Sequence, residues 1–144
     1  MRSTPAFWDA SALVPLCINQ ATSRKAHAQY GRFAPAVWWG SFVEARSAVC
    51  RLHRQKQISD AAKKGASERL RLLSQACREI LPSDYVRTLA LAILDKYALK
   101  AADGLQLAAS LVWCGERPSR RTFICADERL TRAASSAGFS VIQL

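Results

Sequence analysis

"TFICADERLTRAASSAGFSVIQL", residues 122–144, carries the pattern that decides the fold. Residues 122–126 form a short continuous apolar run without alternation, as expected of a strand buried on both faces. Asp127 stands where a helix N-cap belongs, residues 127–138 read as a helix, and Gly138 marks its end. Residues 139–144 return to a strand pattern. Two buried strands joined through a helix lie parallel, because an antiparallel pair needs only a tight turn. Such crossovers are nearly always right-handed.

The same alternation extends upstream. "PAFWDA" (5–10) reads as a buried strand ending in Asp9, and "SALVPLCIN" (11–19) as a helix opening at Ser11, broken or kinked near Pro15. A basic helix covers 20–32. "APAVWWG" (34–40) is a second strand closed by Gly40. Ser41 then caps a long helix to about Lys56, with Phe42, Ala45, Val49 and Leu52 at core spacing. A further helix over 58–77 opens at Ser59 or Asp60, and "REILP" (78–82) is a third strand stopped by Pro82. Residues 83–99 are helical, and another helix follows to about Cys114. "GERPSRR" (115–121) is a turn-rich basic loop. The pattern predicts an α/β protein, one domain over residues 1–144, with a parallel sheet covered by helices on both faces.

The bulk composition narrows the function. A chain of 144 residues suffices for one core. No apolar stretch reaches the roughly 18 residues that span a bilayer. The apolar run near the N-terminus is interrupted by Asp9 and has no clear cleavage site, so the expectation is a soluble, unprocessed protein with no membrane partner. Five cysteines, odd in number and without a C-x-x-C pair, read as buried reduced thiols. That argues for the cytoplasm and against a zinc site or a disulfide frame. His27 and His53 have no H-x-x-x-H partner and read as surface residues. The net charge of +10, from 21 Lys and Arg against 11 Asp and Glu, points to a polyanion, nucleic acid before membrane surface.

The scarce acids are the informative ones. In parallel α/β sheets, sites form beyond the carboxyl ends of the strands. Asp9 ends the first strand and Asp127 follows "TFICA"; Glu44 and Asp103 lie in first helical turns. Three have simpler explanations: Asp127 as a cap, Asp103 with Gln106 as a capping box, Glu44 as a dipole partner. Asp9, a strand-end acid after Phe7 and Trp8, has no obvious partner. One shared site accounts for all four together. Clustered carboxylates repel one another and persist only where cations neutralise them. Oxygen ligands without His or Cys select Mg²⁺ or Mn²⁺, which polarise phosphate oxygens and activate water. With a basic surface around them, the fitting substrate is a nucleic-acid phosphodiester.

At these residues the chain resembles the PIN-domain ribonucleases, most closely the VapC toxins of bacterial toxin–antitoxin pairs. "FWDASALVPL" is similar to their first motif, with Asp9 its acid and Ser11 its hydroxyl, although Ala10 stands where Thr is frequent. "VWWGSFVEARSAV" resembles the second motif through Glu44. "LDKYALKAADGLQLAAS" resembles the third through Asp103, with Gly104 where alanine is usual, and "FICADERLTRAASSAGFSVI" the fourth through Asp127. The resemblance implies a five-stranded parallel sheet, Mg²⁺- or Mn²⁺-dependent endonucleolytic cleavage of RNA, a homodimer, and a VapB-like antitoxin that reaches into the acidic site. In that scheme Asp9 and Asp103 bind metal directly, Glu44 and Asp127 act through water, and Ser11 supports them as a donor. Arg51, on the ridge of Glu44, and Arg120 and Arg121 in the basic loop are candidates for phosphate contact. Two alternatives stay open: an RNA-processing nuclease that is not a toxin, and an inactive RNA-binding module of the same fold.

Overall fold

The computed structural model describes residues 3–144; the expectation of an unprocessed N-terminus depends on residues 1 and 2, which lie outside the described residues. In chain order the elements are β1 (Thr4–Trp8), α1 (Ala10–Cys17), α2 (Ser23–Tyr30), β2 (Phe33–Trp38), α3 (Ser41–Arg54), α4 (Asp60–Ala76), β3 (Arg78–Ile80), α5 (Asp84–Lys96), α6 (Ala101–Trp113), β4 (Thr122–Cys125), α7 (Glu128–Ala137) and β5 (Ser140–Gln143).

The five strands pair in the order β3-β2-β1-β4-β5, every pair parallel. From β1 the chain moves outward through β2 to β3. The segment holding α5 and α6 then returns it to the other side of β1, where β4 and β5 are added. Connections therefore diverge at the carboxyl ends of β1 and β4, the kind of crevice in which open α/β sheets place their sites. Two prolines sit in strands without breaking the ladder. Pro5 precedes the Phe7–Trp8 stretch that pairs with β4, and Pro35 precedes the Ala36–Trp38 stretch that pairs with β3. Each thus lies where its strand has one neighbour and a missing N–H is tolerated.

The period-2 geometry of the strands splits the core into two layers. Phe7, Trp38, Phe123 and Cys125 face α5, α6 and α7. Ala6, Trp8, Val37 and Ile124 face the opposite layer, built on α1, α3 and α4. Seven of these eight strand residues are fully buried, and the eighth, Trp38, is 7% exposed. Both faces of the sheet are covered, which accounts for the unalternating apolar runs in the sequence.

Several local expectations need correction. α1 is not broken at Pro15 but continues to Cys17. Ser41 does not cap α3: Gly40 holds the N-cap position, and Ser41 is the first helical residue, fully buried. Ser59, rather than Asp60, caps α4, its hydroxyl accepting from the Ala62 N–H at 3.1 Å. The second and third strands end at Trp38 and Ile80, two residues short of the expected limits. At the C-terminus, Gly138 closes α7 at φ 113°, a left-handed conformation that glycine adopts without strain. The cysteines are free thiols, with Cys17, Cys114 and Cys125 buried and Cys50 and Cys77 half-buried. Among the described residues no helix is long and apolar enough to cross a membrane.

Candidate active site

Asp9 follows β1 directly and caps α1. Its Oδ2 accepts from the Ser11 N–H at 3.0 Å and from the Ser11 hydroxyl at 2.5 Å. The backbone N–H of Asp9 donates to the Ile124 carbonyl at 3.0 Å, which ties the end of β1 to β4. The Ser11 hydroxyl in turn accepts from the Ala126 N–H at 2.9 Å. One serine thus joins the carboxyl ends of both central strands. Cys125 lies behind it, its sulfur 3.7 Å from the Ser11 hydroxyl and 3.8 Å from Asp9 Oδ2, and accepts from the Asp127 N–H.

Glu44 projects from the first turns of α3 and is held from across the molecule. Gln106 of α6, fully buried, donates from Nε2 to Glu44 Oε2 at 2.6 Å and to the Ser41 hydroxyl at 2.9 Å. Ser41 completes the network by donating to Gln106 Oε1 at 3.2 Å. A buried amide with both its ends engaged fixes one carboxylate rotamer and one distance between α3 and α6. Gln106 therefore forms no capping box with Asp103, and the N-cap position of α6 is Lys100, whose side chain makes no capping bond.

Asp103 lies in the first turn of α6, and Asp127 caps α7 by accepting from the Leu130 N–H at 2.8 Å. Asp9, Glu44, Asp103 and Asp127 line one open cavity of about 550 Å³, together with Ser11, Arg51 and Lys100. Its lining contains neither His nor Cys.

The carboxylates share an unfavourable field. Burial holds the Asp9 carboxyl above its ordinary range, opposed by the Ser11 hydrogen bonds and reinforced by Asp127. Burial raises Glu44 to about 7, against the Gln106 hydrogen bond and with added repulsion from Asp9 and Asp103. Asp103 rises to about 6, through burial and then through Asp9 and Asp127, with Lys100 offsetting part. Mutual repulsion of this kind is relieved by a cation. An all-oxygen donor set fits a hard divalent ion such as Mg²⁺ or Mn²⁺. Among the described residues, however, no three His, Cys, Asp or Glu side chains are already gathered tightly enough to enclose an ion. The donors fit a metal by chemistry, and they line an open cavity rather than a closed cage.

Arg51 reaches this cavity. Arg120 and Arg121 do not: their loop precedes β4 and so stands at the amino edge of the sheet, opposite the acids. There the Arg121 guanidinium lies 5.5 Å from the centroid of the Trp113 ring, at the far end of α6. Sequence reasoning missed Gln106, Ser41, Cys125 and Lys100 as parts of the site. A glutamine at a helix position otherwise occupied by core residues was the one visible signal for the first of them.

The strand order, all-parallel pairing and flanking helices match a PIN-like α/β fold. Solved structures share that fold. A toxin–antitoxin complex from Klebsiella pneumoniae matches with a TM-score of 0.62 at 17% identity, covering 85% of this chain and 86% of that one. FitAcB from Neisseria gonorrhoeae matches at 0.63 and 16%, covering 96% of each chain. PAE2754 from Pyrobaculum aerophilum matches at 0.62 and 18%, covering 97% of this chain and 89% of that one. No family model matches the chain, and no curated protein does either.

Proposed function

We propose that this protein is a divalent-metal-dependent endoribonuclease and the toxin of a toxin–antitoxin pair. The observation that carries the reading is the convergence of Asp9, Glu44, Asp103 and Asp127, from four separate segments, on one cavity at the switch point of the sheet. Asp9 and Asp103 would hold the ion directly, with Glu44 and Asp127 acting through water. When bound, the ion supplies a water of lowered pKa and positive charge against the phosphate oxygens. Ser11 keeps Asp9 in one rotamer by occupying Oδ2. Gln106 and Ser41 hold Glu44, so that water meets a fixed carboxylate. Lys100 and Arg51, at the rim, take up the charge of the phosphodiester.

The toxin role draws on the fold shared with a toxin–antitoxin complex and on a groove suited to a partner segment. Between α3 and α4 lies a cavity of about 620 Å³, lined by Phe42, Val43, Arg46, Cys50 and Leu70 among others. Val43, 70% exposed, and Ser47 line both this groove and the acid cavity, so the two are continuous. An antitoxin segment with apolar anchors would dock there and pass an Arg or Lys into the acids, ordering as it binds. A homodimer is proposed as the form in solution, as the resemblance implies, with exposed Leu81, Tyr85 and Leu91 as candidate interface residues.

The test is RNA-end sequencing after induction in growing cells, with Asp103→Asn as the control. Discrete new ends and growth arrest with the wild-type chain alone are expected. Harmless high-level expression, with RNA ends unchanged, would remove the reading.

A further inference from the structure

Arg129 and Arg132, one of the paired basic clusters of the sequence, line a cavity of their own at the edge of the sheet that carries the acids. It is a groove of about 410 Å³ between α7 and residues 97–99, lined by Tyr97, Leu99, Arg129, Arg132 and Ser136 among others. We propose that this groove is a subsite for single-stranded RNA beside the cleaved bond, in which Arg129 and Arg132 hold phosphates and Tyr97 meets a base. The proposal rests on the nuclease reading above and deepens it.

Topology places the groove. α7 follows β4, and α6 begins beyond residue 99, so both walls lie at the carboxyl edge of the sheet, on the side of the acids. The chain brings the two linings close at two points: Asp127 caps the helix that carries Arg129, and Lys100, which lines the acid cavity, is the next residue after Leu99. Arg51 belongs to α3, which follows β2. Because β2 and β4 flank β1, Arg51 and the α7 arginines stand on either side of Asp9. A strand crossing the acids therefore meets positive charge on both sides.

The chemistry of the groove selects its occupant. Arg129 and Arg132 are three residues apart on one face of α7, and like charges so spaced destabilise a helix unless an anion lies between them. Both are exposed, and neither forms an ion pair among the described residues. No carboxylate lines the groove. Its floor is firm: Ala133 belongs to the buried core, and Tyr97 and Leu99 pack against that core. Guanidinium groups in a groove with an aromatic ring on a rigid apolar floor are the elements that bind single strands without sequence preference.

Fluorescence anisotropy with a labelled single-stranded RNA of mixed sequence, in chelator so that nothing is cut, tests the subsite. Arg129→Gln/Arg132→Gln should weaken binding on the order of tenfold for every sequence tried. It should also flatten the log–log salt slope by about 1.4, at about 0.7 for each lost phosphate contact. Tyr97→Leu should weaken binding and leave the slope as it is, because stacking displaces no counterions. Arg120→Gln/Arg121→Gln removes the same charge at the opposite edge and should change neither quantity. Thermal melts confirm that each variant is folded. Equal losses in the two double variants, or no loss in either, would overturn the subsite. If the wild-type protein binds no RNA at all, the nuclease reading itself fails, and the subsite with it.

Discussion

Replacing Gln106 by Leu keeps the volume of the side chain close to constant and deletes the amide that links α6 to α3. The Ser41 hydroxyl, fully buried, loses both of its hydrogen bonds, and Glu44 Oε2 loses its donor. An unsatisfied buried polar group costs about 1–3 kcal/mol. For a chain of this size each kcal/mol lowers Tm by roughly 2–4 °C, so a fall of roughly 2–12 °C is expected. The functional effect is separable. The Gln106 hydrogen bond favours the charged form of Glu44, already at about 7 because of burial. Without that bond Glu44 holds its proton further into the neutral range and Mn²⁺ affinity at pH 7 falls, with recovery at higher pH. Adding Ser41→Ala removes the orphaned hydroxyl and should restore much of the stability while leaving metal affinity low. Calorimetry gives the first quantity and Mn²⁺ titration followed by electron paramagnetic resonance the second. A Gln106→Leu protein with wild-type Tm and wild-type Mn²⁺ affinity at pH 7 would refute the reasoning.

Asp103→Asn should cut RNA slower by on the order of 10³-fold or more while its Tm at neutral pH in chelator stays level or rises, because a carboxylate held against burial and the repulsion of Asp9 and Asp127 is made neutral; a folded variant with full activity would exclude a ligand role. In chelator the folded protein retains protons on Asp9, Glu44 and Asp103 that the unfolded chain releases. Stability is then fully present below the ordinary carboxylate range and is lost as pH rises through about 6 and about 7, while Mg²⁺ or Mn²⁺ restores it at neutral pH. Melting curves across that interval check this, and a Tm that rises with pH in chelator would contradict it. Gly138→Ala forces a side chain into φ 113°, with its Cβ 3.0 Å from Pro118 Cγ. A cost of about 1–2 kcal/mol, or roughly 2–8 °C in Tm, is expected.

The parts of the fold legible in sequence were those with local causes. Asp127 and Gly138 bracket α7 because a cap and a left-handed terminus are set by single residues. The strands showed as unalternating apolar runs because both faces of the sheet are covered. The shared edge of the four acids was also legible, since parallel strands put all their carboxyl ends together. The same rule places a loop that precedes a strand at the opposite edge, and applied to residues 115–121 it sets Arg120 and Arg121 apart from the acids. Gln106 was not legible, because its partners Ser41 and Glu44 lie 65 and 62 residues away and only the packing of α6 against α3 brings them together. Ser41 misled for the complementary reason: a serine at a helix start looks like a cap whether its hydroxyl turns to the backbone or into the core.

The most direct measurement is cleavage of a single-stranded RNA by the purified protein in H₂¹⁸O, with the fragments weighed by mass spectrometry. A water nucleophile predicts cutting in Mg²⁺ or Mn²⁺, none in chelator, and one ¹⁸O on the single terminal phosphate that each cut produces, the other new end being a hydroxyl. RNA left intact with both ions, or fragments ending in a 2′,3′-cyclic phosphate without ¹⁸O, would contradict it.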